Sequence, residues 1–483
     1  MTGRTLLAGT HMKIAVIGTG YVGLVSGTCF AEWGNRVVCV DKNADKIAAL
    51  RHGRIPIYEP DLDELVERNY AAGRLDFTCD IAKAVEGAAI VFIAIAAPPH
   101  PGQADVDLSF IYQAARELAA LISADSIVVI RSTVPVGTGD AVHRIISSVR
   151  TPGTFAVASN PEFLREGIAV QDFLAPDRIV LGVEEEWACK RLVELYDVPI
   201  ERQNTPVIIT MRRTAELIKH AANAFLATKI TFINELADLC EEMGSDVGEL
   251  ALGMGLDKRI GASLLAAGPG YGGSCFPKSA LALLQTAQDH GVALRIVEET
   301  LAVNEMRKRR MARKVSKALG GDIDGLTIAI LGLTFRPDTD DMRDAPSVPL
   351  IETLQRLGAR IRAYDPVGIE NAAKVLSSVD FHEDLYECAR NADAVVVMTE
   401  WDAIRKIDLA QLKKKLRQPV LIDLRNALDA EAARRIGFHV CSIGKSASTH
   451  SSLRDIAKRR NRQRAVKAAT PKLVPIHDTG EAI

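Results

Sequence analysis

Three things are scarce in this 483-residue chain, and each scarcity excludes something. No apolar run reaches the roughly 20 residues that a membrane-spanning helix needs, so no membrane partner is expected. Neither sign of charge is in excess: 59 Lys and Arg against 61 Asp and Glu leave a net charge of −2. That balance gives no global electrostatic case for nucleic acid or an anionic surface. Paired cysteines are missing as well. The eight cysteines lie scattered at 29, 39, 79, 189, 240, 275, 388 and 441, with no Cys-x-x-Cys among them. Neither a disulfide framework nor a zinc site is suggested, no metal is expected, and a reducing cytoplasm fits. Met1 to His11 lacks a signal-peptide layout and reads as a short polar lead outside the fold. What remains is an ordinary soluble composition, 48% hydrophobic and 25% charged, long enough for two to four domains.

The first ordered pattern is Lys13-Ile-Ala-Val-Ile-Gly-Thr-Gly-Tyr-Val-Gly23, an apolar run ending in G-x-G-x-x-G, with a helical pattern following from Tyr21 to Trp33. A second apolar run, Asn35 to Val40, ends at Asp41, 23 positions after Gly18. A lone G-x-G-x-x-G is weak evidence; after a strand, before a helix and with the acid in place it is a dinucleotide fingerprint. Gly18 makes the tight turn, Gly20 lets a pyrophosphate approach, and Gly23 lets helix and strand pack. Asp41 favours NAD over NADP by bonding the ribose hydroxyl and repelling a 2′-phosphate. Further strands read at 89–95, 126–130 and 154–158, alternating with helices, which predicts a doubly wound parallel sheet. Two strand ends carry polar clusters, Arg131 to Thr138 and Ser159 to Glu166. Both would face the nicotinamide end of the cofactor. Thr133 and Glu162 within them read equally as turn and capping residues.

From Thr214 to Met243 the chain reads as one long helix without Gly or Pro. It is too long for one compact layer, so it is expected to bridge two domains and offer a dimer surface. Lys219 and Asn223 stand four apart on an alanine-rich face, where they need partners or snorkel to the surface. Helices are predicted at 246–253, 279–290 and 294–316; the basic run Arg307 to Arg310 in the last reads as a solvated face. Between them lies Gly268-Pro-Gly-Tyr-Gly-Gly-Ser-Cys-Phe-Pro-Lys-Ser279. Five of its residues are Gly or Pro before Cys275 is reached, which presents the thiol instead of burying it. Ahead of a helix and close to Lys278, Cys275 is expected to favour a thiolate. A nucleophile and an incidental cysteine in a glycine turn both fit the loop taken alone.

Strand patterns return at 325–332, 359–365, 394–398 and 419–424, a weak repeat of the first half. Here the glycine turn is reduced to Gly332-Leu-Thr-Phe-Arg336, so no second dinucleotide site is expected. Arg336, Arg343 and Arg425 fall at strand ends or loops, where each is a surface arginine or a phosphate anchor. The fold class is therefore α/β: two Rossmann-like doubly wound parallel-sheet domains joined by a long helical region. The boundaries are 12–205, 206–317 and 318–445, and 446–483 reads as a basic disordered tail.

Taken together, Gly18 to Leu24, Ser132 to Thr138, Asn160-Pro-Glu-Phe-Leu-Arg-Glu-Gly167, Lys219-x-x-x-Asn223, Gly272 to Lys278 and Phe335 to Arg343 resemble the UDP-glucose/GDP-mannose dehydrogenase family over residues 12–445. The resemblance implies a four-electron oxidation of a sugar C6 alcohol to a carboxylate with two NAD, UDP-glucose being the first substrate to consider. GDP-mannose, another sugar nucleotide, or a catalytically weak paralogue that only binds NAD and sugar nucleotide stay open. By the same resemblance, Cys275 forms a thiohemiacetal and then a thioester. Lys219 and Asn223 stabilise the oxyanion. Glu162 and Thr133 belong to the proton relay, Glu162 being the base for hydrolysis. The cofactor contacts it implies are Gly18, Gly20, Tyr21, Val22, Gly23, Asp41, Lys46, Thr133, Glu166, Lys278 and Arg343. For the sugar nucleotide they are Phe163, Leu164, Glu166, Lys219, Asn223, Tyr271, Gly272, Phe335, Arg336 and Arg425, with Arg259 reaching across a homodimer or higher homo-oligomer. Three departures from the family pattern stand out. Ser279 occupies the place of an aspartate and cannot carry its charge; capping the following helix is its other role. Ala96-Ala-Pro-Pro-His100 stands where Gly-Thr-Pro is usual, and Arg336 stands where lysine is usual.

Overall fold

The computed structural model describes residues 11–97 and 106–445. Most of the polar lead, the part of the 96–100 turn from Pro98 on, and the basic tail lie outside the described residues. Strands form where short Val- and Ile-rich runs occur, and the central ones are buried on both faces, as parallel sheets require, while the edge strands are part-exposed. In the first sheet these are β1 (Lys13–Ile17), β2 (Arg36–Val40), β3 (Leu75–Thr78), β4 (Ile90–Ile93), β5 (Ser126–Ile130), β6 (Phe155–Ser159), β7 (Ile179–Gly182) and β8 (Val207–Thr210), ordered β3-β2-β1-β4-β5-β6-β7-β8. The order reverses between β1 and β4, which opens the crevice where such sheets bind ligands. All pairs run parallel except β6 with β7, which meet antiparallel at Ser159 and Gly182. β3, β7 and β8 were not among the strands read from sequence.

The second sheet holds β9 (Thr327–Leu331), β10 (Arg360–Tyr364), β11 (Val379–His382), β12 (Ala394–Val397), β13 (Val420–Asp423) and β14 (His439–Ser442), ordered β11-β10-β9-β12-β13-β14 and wholly parallel. It reverses between β9 and β12 in the same way. Its β2-like carboxylate, Asp365, is consumed internally. It accepts from the backbone N–H groups of Leu333, Thr334, Val367 and Gly368 and from the Trp401 indole.

Between the sheets runs the central helix Arg212–Met243, 32 residues long, which ends on Gly244 at φ 75°. A left-handed glycine of this kind is a common helix stop. Helices Val247–Gly255, Cys275–Asp289 (called the nucleophile helix after the role the sequence resemblance implies for Cys275) and Arg295–Ala318 follow. The basic run on the last of these is not a solvated face. Arg307 and Lys308 are buried, and only Arg309 and Arg310 are exposed. Helical periodicity turns two of the four inward, where Asp238, Glu305 and Asp344 neutralise them. Buried charges persist only when paired in this way.

Candidate active site

The glycine turn behaves as its spacing predicts. Gly18 has φ +106°, and a Cβ there would lie 2.6 Å from Ala94 O; one on Gly23 would lie 2.0 Å from Gly18 O. A Cβ on Gly20 would meet nothing within 4 Å among the described residues. Two glycines are thus forced by packing, and the third leaves a cradle open at the crevice. That cradle, with the carboxylate of Asp41 at the end of β2, fits a dinucleotide. Asp41 Oδ2 accepts from the Thr19 N–H at 3.2 Å, from Thr19 Oγ1 at 2.6 Å and from Lys46 Nζ at 3.2 Å. Partial burial opposes its charge, but those bonds and the Asn43 N–H outweigh it and hold the carboxyl below its ordinary range. Val22 is part-buried beside the turn. Tyr21 turns its hydroxyl to Glu59, and burial pushes that phenol upward.

The second cluster forms where the central helix crosses the ends of β5 and β6. Lys219 Nζ donates to Glu162 O at 2.6 Å and pairs with Glu162 Oε1 at 3.1 Å, both residues being buried. Glu162 Oε2 accepts from the Leu164 N–H at 2.6 Å. The Phe163 ring takes the Arg178 guanidinium at 3.8 Å and the Lys219 ammonium at 5.2 Å from its centroid. Thr133 and Lys219 line one small cavity. One turn further on, Asn223 Nδ2 donates to Ser279 Oγ at 2.8 Å. Ser279 is fully buried inside the nucleophile helix, so it caps nothing.

Cys275 is the first residue of that helix, which begins earlier than the sequence pattern indicated. The direction of its shift runs against the expected thiolate. Burial pushes the thiol above its ordinary range; Lys219 pulls it down, while Glu162 and Glu166 push it up. Among the cations, Lys219 pulls the thiol down most. Lys278 is itself lowered to about 8 by burial, against the opposing pull of a Cys275 thiolate. Loss of water and the two nearby carboxylates act together against the thiolate.

The third cluster joins the two sheets. Arg343 Nη2 reaches Glu166 Oε1 at 3.0 Å while gripping Asp341, and Thr339 Oγ1 lies 3.4 Å from Glu166 Oε2. Burial, then repulsion from Asp341, raises Glu166 to about 8 despite the arginine. The nucleophile loop packs on this segment: a Cβ on Gly272 would lie 2.3 Å from Asp344 O, and one on Gly273 would lie 2.8 Å from the Phe335 ring. Arg425 donates to Phe335 O and Met398 O, each at 3.0 Å, and pairs with Glu400. Tyr271 buries its hydroxyl without a hydrogen-bond partner among the described residues. Arg336 sits part-exposed two residues before Asp338. Arg259 stands apart, exposed and paired with its neighbour Asp257.

Sequence reading missed two further members. Glu216 accepts from the N–H groups of Gly137 and Gly139 at 2.6 and 2.8 Å and from Ser159 Oγ at 2.8 Å. His220 is buried with Nε2 2.6 Å from Val134 O, and burial lowers its pKa. Both share the helix face of Lys219 and Asn223. Their spacing of three and four along it was the available signal.

Comparison with known proteins covers all three clusters. Residues 12–199 match the model of the UDP-glucose/GDP-mannose dehydrogenase family NAD binding domain, 213–306 its central domain and 329–430 its UDP binding domain. A UDP-glucose 6-dehydrogenase of Rhizobium meliloti is 54% identical over 436 residues, covering 90% of this chain and 100% of that protein. The UDP-glucose 6-dehydrogenase TuaD of Bacillus subtilis is 44% identical over 437 residues, covering 90% of this chain and 94% of that protein. A solved UDP-glucose dehydrogenase from Pyrobaculum islandicum superposes with a TM-score of 0.83 at 36% identity, covering 92% of this chain and 100% of that one.

Proposed function

This chain belongs to the UDP-glucose/GDP-mannose dehydrogenase family, and we propose that within it the chain oxidises UDP-glucose to UDP-glucuronate with two NAD. The observation that carries this reading is the meeting of Cys275, Lys219, Asn223 and Glu162 at the carboxyl ends of the glycine-turn sheet. The 54% identity to a UDP-glucose 6-dehydrogenase supports the choice of sugar nucleotide. Residues 12–205 hold NAD, 206–317 carry the nucleophile, and 318–445 hold the nucleotide diphosphate. Arg336 and Arg425 supply its cationic contacts, and Phe335, Tyr271 and Gly272 form its wall.

NAD, when bound, accepts the hydride from C6; Gly18 to Gly23, Asp41, Lys46, Lys278 and Arg343 hold it. The hydroxyl proton passes to the Glu162–Lys219 pair, which Thr133 borders. Cys275 then gives up its proton to solvent, and its sulfur bonds to the aldehyde carbon. The carbonyl oxygen becomes an alkoxide facing Lys219 and the amide N–H of Asn223 not committed to Ser279. Loss of a second hydride from C6 of this alkoxide, for which a second NAD would be the acceptor, turns the thiohemiacetal into a thioester. Water attacks the thioester, Glu162 takes its proton, and carboxylate and thiol are released. Glu166 supports the water and the loop, and Phe163 and Leu164 border the sugar. Ser279 adds no charge, so Glu162 serves as base without a second carboxylate on the nucleophile helix.

The enzyme is a homo-oligomer in this reading. Phe225, Phe232 and Leu239, spaced by seven along the central helix, expose an apolar stripe that continues at Leu252 and Leu256. Exposed apolar surface of this kind is typical of interfaces, and in this reading Arg259, three residues after Leu256, reaches a partner's site. All eight cysteines are free, which suits a cytoplasmic enzyme. The test is NADH formation with purified protein across UDP-glucose, GDP-mannose and UDP-N-acetylhexosamines. UDP-glucose is expected to give the highest kcat/KM. Preference for another sugar nucleotide overturns the substrate, and thermal stabilisation by ligands without NADH overturns the activity.

A further inference from the structure

We propose that Asn234, Arg307 and Asn304 form a clamp on the main chain of the nucleophile loop, and that these three positioning residues set where Cys275 sits; the proposal rests on Cys275 being the nucleophile. Gly268 to Gly273 belongs to no helix or strand, so its buried peptide groups must find partners elsewhere. Three side chains from two helices provide them. The Gly268 N–H donates to Asn234 Oδ1 at 2.8 Å, and Gly268 O accepts from Arg307 Nε at 2.6 Å. The Tyr271 N–H donates to Asn304 Oδ1 at 2.9 Å, and Tyr271 O accepts from Asn304 Nδ2 at 3.1 Å. Asn304 thus pairs with Tyr271 as a neighbouring strand would.

The clamp is itself fixed. Asn234, Asn304 and Arg307 are 1%, 2% and 4% exposed. Arg307 also donates to Asn234 O at 2.8 Å and to Asp238 Oδ1 at 2.9 Å, which ties the central helix to Arg295–Ala318. Gly270, at φ +122°, would carry a Cβ only 3.0 Å from Asn304 Oδ1, so the loop lies directly on the amide. Four residues beyond Tyr271 stands the sulfur, whose protonation depends on its place between Lys219 and the carboxylates of Glu162 and Glu166. A loop displaced from Lys219 loses the cation that lowers the thiol most.

The test uses Asn304→Ala and Asn304→Asp in the full chain, with iodoacetamide alkylation of Cys275 measured against pH. Asn304→Asp keeps the size but turns a donor at Tyr271 O into a repelling oxygen. Both variants are expected to move the alkylation pH profile to higher pH. They should also lower kcat about 10- to 100-fold, the scale of a 1 Å misplacement, with KM for NAD unchanged. Folded variants with the wild-type alkylation profile and kcat overturn the clamp. If both fail to fold, Asn234→Ala, which removes only one of the four bonds, is read against the same two outcomes. Alkylation needs no sugar nucleotide. A shifted profile in a chain inactive on UDP-glucose therefore removes the proposed reaction and keeps the clamp, and an unshifted profile in an active chain does the reverse.

Discussion

Asn223 on the central helix and Ser279 on the nucleophile helix are joined by one buried hydrogen bond of 2.8 Å, amide to hydroxyl. The bond fixes the rotation of the amide and commits one of its two N–H groups, so the remaining one has a defined direction. Ser279→Ala leaves that amide N–H without its acceptor in a dry site, a loss of about 1–3 kcal/mol. Urea unfolding should shift to lower denaturant, and kcat should fall several-fold. An unchanged kcat with lowered stability assigns the bond to packing alone.

Lys219 is the group that most opposes burial of the Cys275 thiol. Lys219→Met is expected to slow iodoacetamide alkylation of Cys275 at neutral pH, because the thiol then titrates higher. It also strands the buried carboxylate of Glu162, which should cost about 3–5 kcal/mol of stability. Lys219→Met with wild-type alkylation rate contradicts the electrostatic role.

Glu166 gives the clearest pH signature. Its carboxyl is raised from 4.5 to about 8, by burial first and by Asp341 second. A raised folded-state value means that the folded chain binds the proton more tightly than the unfolded chain. Stability contributed by the protonated form is therefore lost as pH rises from about 4.5 through about 8. Against Glu166→Gln, wild type should lose stability progressively across that window in thermal unfolding. Parallel curves for the two proteins contradict the shift.

Asp41 combines a low pKa with bonds to Thr19 and Lys46. Asp41→Asn is expected to raise KM for NAD by about tenfold, the equivalent of one charge-assisted hydrogen bond. It should also narrow the preference over NADP, as steady-state kinetics with both cofactors will read. An undiminished preference places discrimination elsewhere.

Local pattern carried the glycine turn, Asp41 and the pairing of Lys219 with Asn223 on one helix face, because each depends on spacing within about 25 residues. What it could not carry depends on neighbours far along the chain. The shift of the Cys275 thiol comes first from burial and then from Lys219, Glu162 and Glu166, more than 50 residues away in sequence. Arg307 and Lys308 read as surface because their partners Asp238 and Asp344 come from other segments. β7 and β8 are four-residue runs flanked by helices, too short for periodicity to separate from loop. Ser279 was visible as an uncharged residue beside the nucleophile, but its bond to Asn223 needed two helices to be placed together.

The central chemical claim is a thioester on Cys275, and the most direct measurement is NADH released per UDP-glucose consumed. Wild type should release two NADH for each UDP-glucuronate formed, while Cys275→Ser should stop before the acid and hold a covalent adduct visible by mass spectrometry. Full turnover with two NADH in a Cys275→Ala variant, in which no side-chain nucleophile remains at that position, would contradict the claim.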